Sequence, residues 1–175
     1  MSVTLRRAAA GDRFALETLS AALLDEHQTQ FPDAYPALPP LRAAAIYAAE
    51  WVQRLGANDP ALILWLAADR VPVGFIVAEA VTRPVGQPAS VAFAEWWYVD
   101  PQQRGRGIGR ALEGALVDDC RGRGLTHIEC YAVPGDLQWA RRGWQRTAVK
   151  FVRGVEEFAA DLALAARGHE QEGIG

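Results

Sequence analysis

The stretch Asp100-Pro-Gln-Gln-Arg-Gly-Arg-Gly-Ile-Gly-Arg-Ala-Leu112 sets Gly105, Gly107 and Gly109 in alternation with Arg104, Arg106, Ile108 and Arg110. Glycines let a backbone approach an anion with no side chain in between. A helix beginning here adds unpaired N–H groups and the positive end of its dipole. Together these features predict a phosphate cradle over Arg104 to Gly109, with Arg104, Arg106 and Arg110 adding charge at its rim. The competing reading is an arginine-rich turn that only caps a helix, and the glycines alone do not separate the two. Two common phosphate loops are excluded. A Walker loop needs Gly-Lys-Ser/Thr, and this stretch has no lysine. A Rossmann fingerprint counted from Gly105 and Gly107 needs glycine where Arg110 stands, and its strand should come first in the chain rather than after a hairpin.

Just upstream, Glu95 is the single acidic side chain in the apolar run Val91 to Val99. A carboxylate among Phe93, Trp96 and Trp97 either has its pKa raised by desolvation, which suits it to take a proton, or needs a cationic partner. Glu95 is the candidate general base. The alternative is a solvent-facing glutamate paired with a neighbouring arginine.

These residues must be positioned by the elements around them. Val3 to Arg6 alternates as a strand does, and Asp12 is placed to cap a helix carrying Phe14, Leu16, Leu19, Leu23 and Leu24 at helical spacing. His27 to Pro40 holds four prolines and reads as a long loop. A second helix is expected over Leu41 to Leu55, then a turn at Asn58-Asp59-Pro60. Leu62 to Ala67 and Val73 to Ala80 read as strands joined through Asp69-Arg70, and Thr82 to Pro88 as a loop. Ser90 to Val99 is the longest strand candidate. In the absence of a bulge, Val91, Phe93, Glu95, Trp97 and Val99 share one of its faces. A helix follows over Gly107 to Arg121, closed by Gly122 and Gly124. The remainder reads as a strand at Thr126 to Ala132, a short helix at Leu137 to Arg142, a strand at Trp144 to Arg153 and a helix at Glu156 to Ala166. The tail from His169 to Gly175 reads as frayed. A hairpin followed by a β–α–β crossover argues an α/β fold with a mixed, mostly antiparallel central sheet flanked by helices.

The 175 residues suit one globular domain. A net charge of -3 gives no general attraction for nucleic acid. Cys120 and Cys130 are too few for a disulfide framework, and no cluster has metal-ligand spacing, so no metal is expected. The longest apolar run, Ala61 to Ala68, is too short to span a bilayer, and no apolar segment follows the N-terminal arginines. A cytoplasmic protein is expected. Trp51, Trp65 and Trp144 read as core, while Trp96, Trp97 and Trp139 either pack or shape an acceptor pocket.

Arg104-x-x-Gly107-x-Gly109 resembles the Arg/Gln-x-x-Gly-x-Gly/Ala signature of the GNAT N-acetyltransferases. Tyr98-Val99-Asp100-Pro101 is similar to the strand end that precedes it in the family, and Arg110-Ala111-Leu112 to the start of the central helix. Val3 to Asp12 resembles the family's first strand and helix start, and Arg141-Arg142-Gly143-Trp144 its Lys/Arg-x-Gly-Phe ending. The likeness covers residues 3 to 152. It implies acetyl-CoA, or another short acyl-CoA, as co-substrate, with the pantetheine arm along the backbone of Trp97, Tyr98 and Val99. The pyrophosphate would lie on Arg104, Gly105, Arg106, Gly107, Ile108, Gly109 and Arg110. It also implies direct attack by the amine of a small molecule or peptide, with Glu95 where polyamine-type members carry a proton-accepting glutamate. The chain departs from the family at Trp139, where many members have an acidic tyrosine. Tyr131 and Tyr98 are the substitutes within reach, and water is a further proton source. That departure keeps open a non-catalytic acyl-CoA-binding domain. Pairing of such domains makes a homodimer through Trp144 to Ala166 a further expectation.

Overall fold

The computed structural model describes residues 3–32, 39–82 and 90–130, all of which lie in one compact unit, residues 1–131. Its strands are β1 (Thr4–Arg7), β2 (Leu62–Asp69), β3 (Val71–Thr82), β4 (Ser90–Val99) and β5 (His127–Cys130). They form one sheet in the order β1-β2-β3-β4-β5. All neighbours are antiparallel except β4 and β5, which are parallel because a helix carries the chain back between them.

Side-chain alternation divides the core in two. Leu62, Leu64 and Leu66 of β2, with Phe75 and Val77 of β3, face the helix pair α1 (Arg13–Gln30) and α2 (Pro40–Gly56). There they meet Leu16, Leu19, Leu23, Ala48 and Trp51. Ile63, Ala67, Ile76 and Ala78 point the other way, onto Ile108, Leu112, Leu116 and Cys120 of α3 (Ile108–Gly122). The four-residue recurrence of those α3 positions is the stripe an amphipathic helix buries. Pro40 opens α2, where its missing N–H costs nothing. Beyond α3, Gly124 takes a left-handed φ of 67° that turns the chain into β5.

Two expectations need correction, and a third is conditional on a bulge-free strand. The first helix does not stop at His27 but runs to Gln30. His27 to Gln30 carry no apolar residue, so the periodicity ends before the helix does, while Gln30 still bonds back to Glu26 at 3.3 Å. Asp12 does not cap that helix with its side chain. Its carboxylate instead holds the Arg6 guanidinium in a bidentate pair at 2.6 and 2.7 Å and accepts the Ala9 N–H at 2.8 Å. The five residues Val91, Phe93, Glu95, Trp97 and Val99 do not share a face. Ala78 of β3 pairs with Ala94 and Val77 with Trp96, so Glu95 is the extra residue of a β-bulge. The bulge puts Trp97 and Val99 on the α3 side with Ala92 and Ala94, and Trp96 and Tyr98 on the α1–α2 side.

Tyr131, Trp139, Gly143, Trp144 and the elements expected beyond β5 lie outside the described residues, as do residues 33–38 and 83–89. Among the described residues no helix is long and apolar enough to cross a membrane.

Candidate functional site

The end of β4 leads into a single 3-10 turn, Pro101–Gln103, capped by the Asp100 carboxylate on the Gln102 N–H at 2.8 Å. Gly105 and Gly107 then take left-handed φ values of 78° and 81°, which side-chain-bearing residues rarely adopt. A Cβ built at either position would meet nothing within 4 Å. The protein's own packing therefore does not demand glycine there; the backbone conformation does. The first helical bond of α3 runs from Ala111 N–H to Gly107 O at 2.9 Å. The N–H groups of Ile108, Gly109 and Arg110 precede that ladder, and no side chain caps the helix. The predicted cradle is thus an open turn ending in uncapped donors, a geometry that receives an anion.

The three rim arginines have different partners. Both terminal nitrogens of Arg104 bond the Glu26 carboxylate, at 2.5 and 2.9 Å. Its Nε–H donates to Val99 O at 2.9 Å, and its guanidinium lies 5.7 Å from the centre of the Tyr98 ring. Arg106 bonds the Gln103 side chain and stands 3.7 Å from Asp69. Arg110 alone of the three is exposed with no ion pair or hydrogen bond among the described residues. Of the three side chains, Arg110 is thus the one left unpaired beside the uncapped N–H groups, while Arg104 ties the turn to Glu26 and to the end of β4.

The pairing of β4 with β5 runs from Val91/His127 to Ala94/Cys130, and the bulge at Glu95 comes immediately after. Beyond it, Trp97 and Val99 border the start of α3, and a Cβ on Gly109 would sit 3.7 Å from Trp97 Nε1 and 3.8 Å from Val99 Cγ2. Tyr98 is buried on the opposite face beneath Arg104. Burial, and then the charges of Asp100 and Glu26, raise its pKa, so the phenol keeps its proton. The Cys130 thiol is pushed up to about 11 by burial alone and is no nucleophile at neutral pH.

The bulge turns the Glu95 side chain to the surface, where it has no ion pair or hydrogen bond among the described residues. Its pKa is nevertheless raised, first by the partial desolvation of its surroundings, then by the charges of Glu79 and Glu50; Arg54 opposes them. Arg54 is shared among three acids: Nε to Asp59 at 2.7 Å, a terminal nitrogen to Glu79 at 2.8 Å, and Glu50 at 3.7 Å. The sequence singles out Glu95 but not its neighbours Glu50, Arg54 and Glu79, nor Glu26 beside Arg104. They stand on α2, β3 and α1, and none has a local signal. Beside the acids, Trp96 packs against Trp51 and Tyr47, with ring centres 5.3 and 4.6 Å away, and Tyr47 remains partly exposed. Trp96 is therefore part of a packed aromatic wall with an exposed end.

The pattern of the acetyltransferase (GNAT) family matches residues 20–146. Among curated proteins, an aminoglycoside N(6')-acetyltransferase type 1 of Klebsiella aerogenes is 38% identical over 83 residues, 46% of this chain and 53% of that protein. One of the same name from Stenotrophomonas maltophilia is 34% identical over 91 residues, 51% and 60% of the two chains. The chain thus spans a little over half the length of the curated relatives it matches. A predicted acetyltransferase with acetyl-CoA from Clostridium acetobutylicum has a similar structure, with a TM-score of 0.70 at 18% identity over 89% of this chain and 98% of the other. A GCN5-related N-acetyltransferase from Ralstonia eutropha JMP134 gives 0.70 at 20% identity over 89% and 99%. At such identities the structural likeness speaks for the fold.

Proposed function

The chain belongs to the acetyltransferase (GNAT) family, and on that premise we propose that it transfers the acetyl group of acetyl-CoA to a primary amine of a small cationic acceptor. The observation that carries this reading is the open turn at Gly105 and Gly107 running into the uncapped start of α3. Its donors suit the pyrophosphate of acetyl-CoA, and the backbone of Trp97 to Val99 lies directly upstream for the pantetheine arm.

Glu95 accepts the proton of the acceptor's ammonium, which frees the lone pair for attack on the thioester carbonyl. A C–N bond forms, the attacking nitrogen gives up its remaining extra proton to water, the C–S bond breaks, and the departing thiolate takes up a proton. Tyr131 remains the expected donor of that proton, with water as the other source. The raised pKa of Glu95 suits the role, because a carboxylate that is too weak a base cannot hold the proton it takes. The acids Glu50, Asp59 and Glu79 outnumber the single cation Arg54 among them. That excess favours an acceptor carrying several ammonium groups. Aminoglycosides are such molecules, and the two curated relatives are named for acetylating them.

The test is release of free CoA thiol from acetyl-CoA with a panel of aminoglycosides, polyamines, monoamines and peptides. Turnover confined to polycationic amines supports the reading. Turnover only with neutral or anionic amines removes the acceptor assignment, and acetyl-CoA binding without turnover on any amine removes the enzyme.

A further inference from the structure

The glycines that open the cradle also loosen it. Gly105 and Gly107 have the widest conformational freedom of any residue, so their left-handed geometry needs support from both sides. On the far side the support is Ile108, 3% exposed and packed beneath the sheet with Leu112. On the near side it is Arg104, which is fastened in three directions. Its Nε–H bonds Val99 O at the end of β4, its guanidinium lies over Tyr98, and both terminal nitrogens bond Glu26 near the end of α1. Glu26 is 78 residues away in sequence. It is less exposed than its partner, with side-chain exposures of 23% and 46%, and it is further oriented by Gln30 at 3.3 Å. An arginine offered to a phosphate would have its fork free. This one is occupied by a carboxylate in the bidentate geometry that a phosphate would use.

We propose that Glu26 is a positioning residue for the acetyl-CoA turn: by holding the Arg104 guanidinium it fixes the entry to Gly105–Gly107, and Arg104 acts through this bridge rather than as a phosphate ligand. The proposal rests on reading that turn as the acetyl-CoA site. It also links the end of α1, where the chain leaves towards 33–38, to the cofactor turn. The arrangement trades the direct attraction of one arginine for a turn already in its binding geometry.

The two roles for Arg104 predict opposite signs at Glu26. If Glu26 preorganises the turn, Glu26→Ala weakens acetyl-CoA; if it only competes with phosphate for the guanidinium, Glu26→Ala frees Arg104 and tightens acetyl-CoA. Calorimetric titration of acetyl-CoA into the wild type, Glu26→Ala, Arg104→Ala and the double variant decides between them. The expected result is a Kd about fivefold higher in each single variant, the scale of a partly exposed ion pair. The double variant should be no worse than the singles, because both remove one bridge. The loss should appear in KM for acetyl-CoA rather than in kcat, whereas loss of folded protein lowers the apparent kcat. Glu26→Gln, which keeps one acceptor oxygen and the side-chain volume, should fall between the wild type and Glu26→Ala, and it secures the comparison if the alanine variant is unstable. Tightened or unchanged binding in Glu26→Ala, or additive losses in the double variant, overturns the proposal. A wild-type protein that does not bind acetyl-CoA at all instead overturns the underlying site assignment.

Discussion

Gly107 and Gly109 look interchangeable in sequence, and alanine at the two positions should have opposite effects. Residue 107 has φ 81° and open space where a methyl would stand, so Gly107→Ala introduces no clash within the protein and leaves only backbone strain. An L-residue held in the left-handed region costs about 1–2 kcal/mol. If the turn keeps its shape, the free protein loses that amount, a fall in Tm of roughly 2–8 °C at this chain length. If the turn relaxes, the cost returns on binding, and Kd for acetyl-CoA rises about 5- to 30-fold. Either way the acetyl-CoA-bound protein is destabilised by the full strain, since the bound state requires the turn. Gly109 lies inside α3 without a left-handed φ, and its methyl would make ordinary contacts at 3.7 and 3.8 Å with Trp97 and Val99. Gly109→Ala should therefore stabilise the free protein by about 0.4–1 kcal/mol through the unfolded chain. It should also keep acetyl-CoA affinity, as the family signature takes alanine at that position. Thermal melts with and without acetyl-CoA, with a calorimetric Kd for each variant, measure all four quantities. The reasoning fails if the acetyl-CoA complex of Gly107→Ala is as stable as that of the wild type. It fails equally if Gly109→Ala loses as much affinity as Gly107→Ala.

Glu95→Gln should retain acetyl-CoA binding and lose about 10²–10⁴-fold in turnover near neutral pH, with activity recovering at high pH where the amine is already neutral; a wild-type rate at every pH removes Glu95 from the mechanism. Glu79 raises the Glu95 pKa and Arg54 lowers it, so Glu79→Gln should move the acid limb of the kcat/KM profile to lower pH and Arg54→Met should move it higher. Shifts in the reverse directions would show that another group titrates. Asp119 is a buried carboxylate that accepts from Arg7, from Trp65 Nε1 at 2.8 Å and from Arg123 Nε at 3.1 Å. Asp119→Ala leaves those donors unmatched and should cost on the order of 2–3 kcal/mol in urea unfolding, and a midpoint equal to the wild type would show the cluster to be dispensable.

The order and type of the elements through β5 were legible because they rest on short-range periodicity. Alternation in β4 and the four-residue stripe of α3 are properties of neighbouring residues; β4 emerges as expected at Ser90–Val99, and α3, expected over Gly107 to Arg121, lies one residue on at Ile108–Gly122. Where apolar residues ran out, as at His27 to Gln30, the pattern lost the last turn of a helix that runs on to Gln30. The bulge could not be read from β4 by itself. It exists because Ala78 pairs with Ala94 while Val77 pairs with Trp96, a mismatch that belongs to two strands at once.

The same division governs the site. The turn is made of consecutive residues, with glycines that permit left-handed backbone angles and donors left over by the start of a helix, so the sequence by itself determined where it lies. The acid–base candidate was visible as a lone carboxylate in an apolar run, but its environment was not. Only the tertiary structure turned Glu95 outward on a bulge, brought Glu79 from β3 and Glu50 and Arg54 from α2 to tune it, and set Glu26 of α1 against Arg104. The backbone options of a turn or helix start are set within a few residues of the chain. The electrostatic state of a side chain depends on distance through space, and the groups that set it here are drawn from elements far apart in sequence.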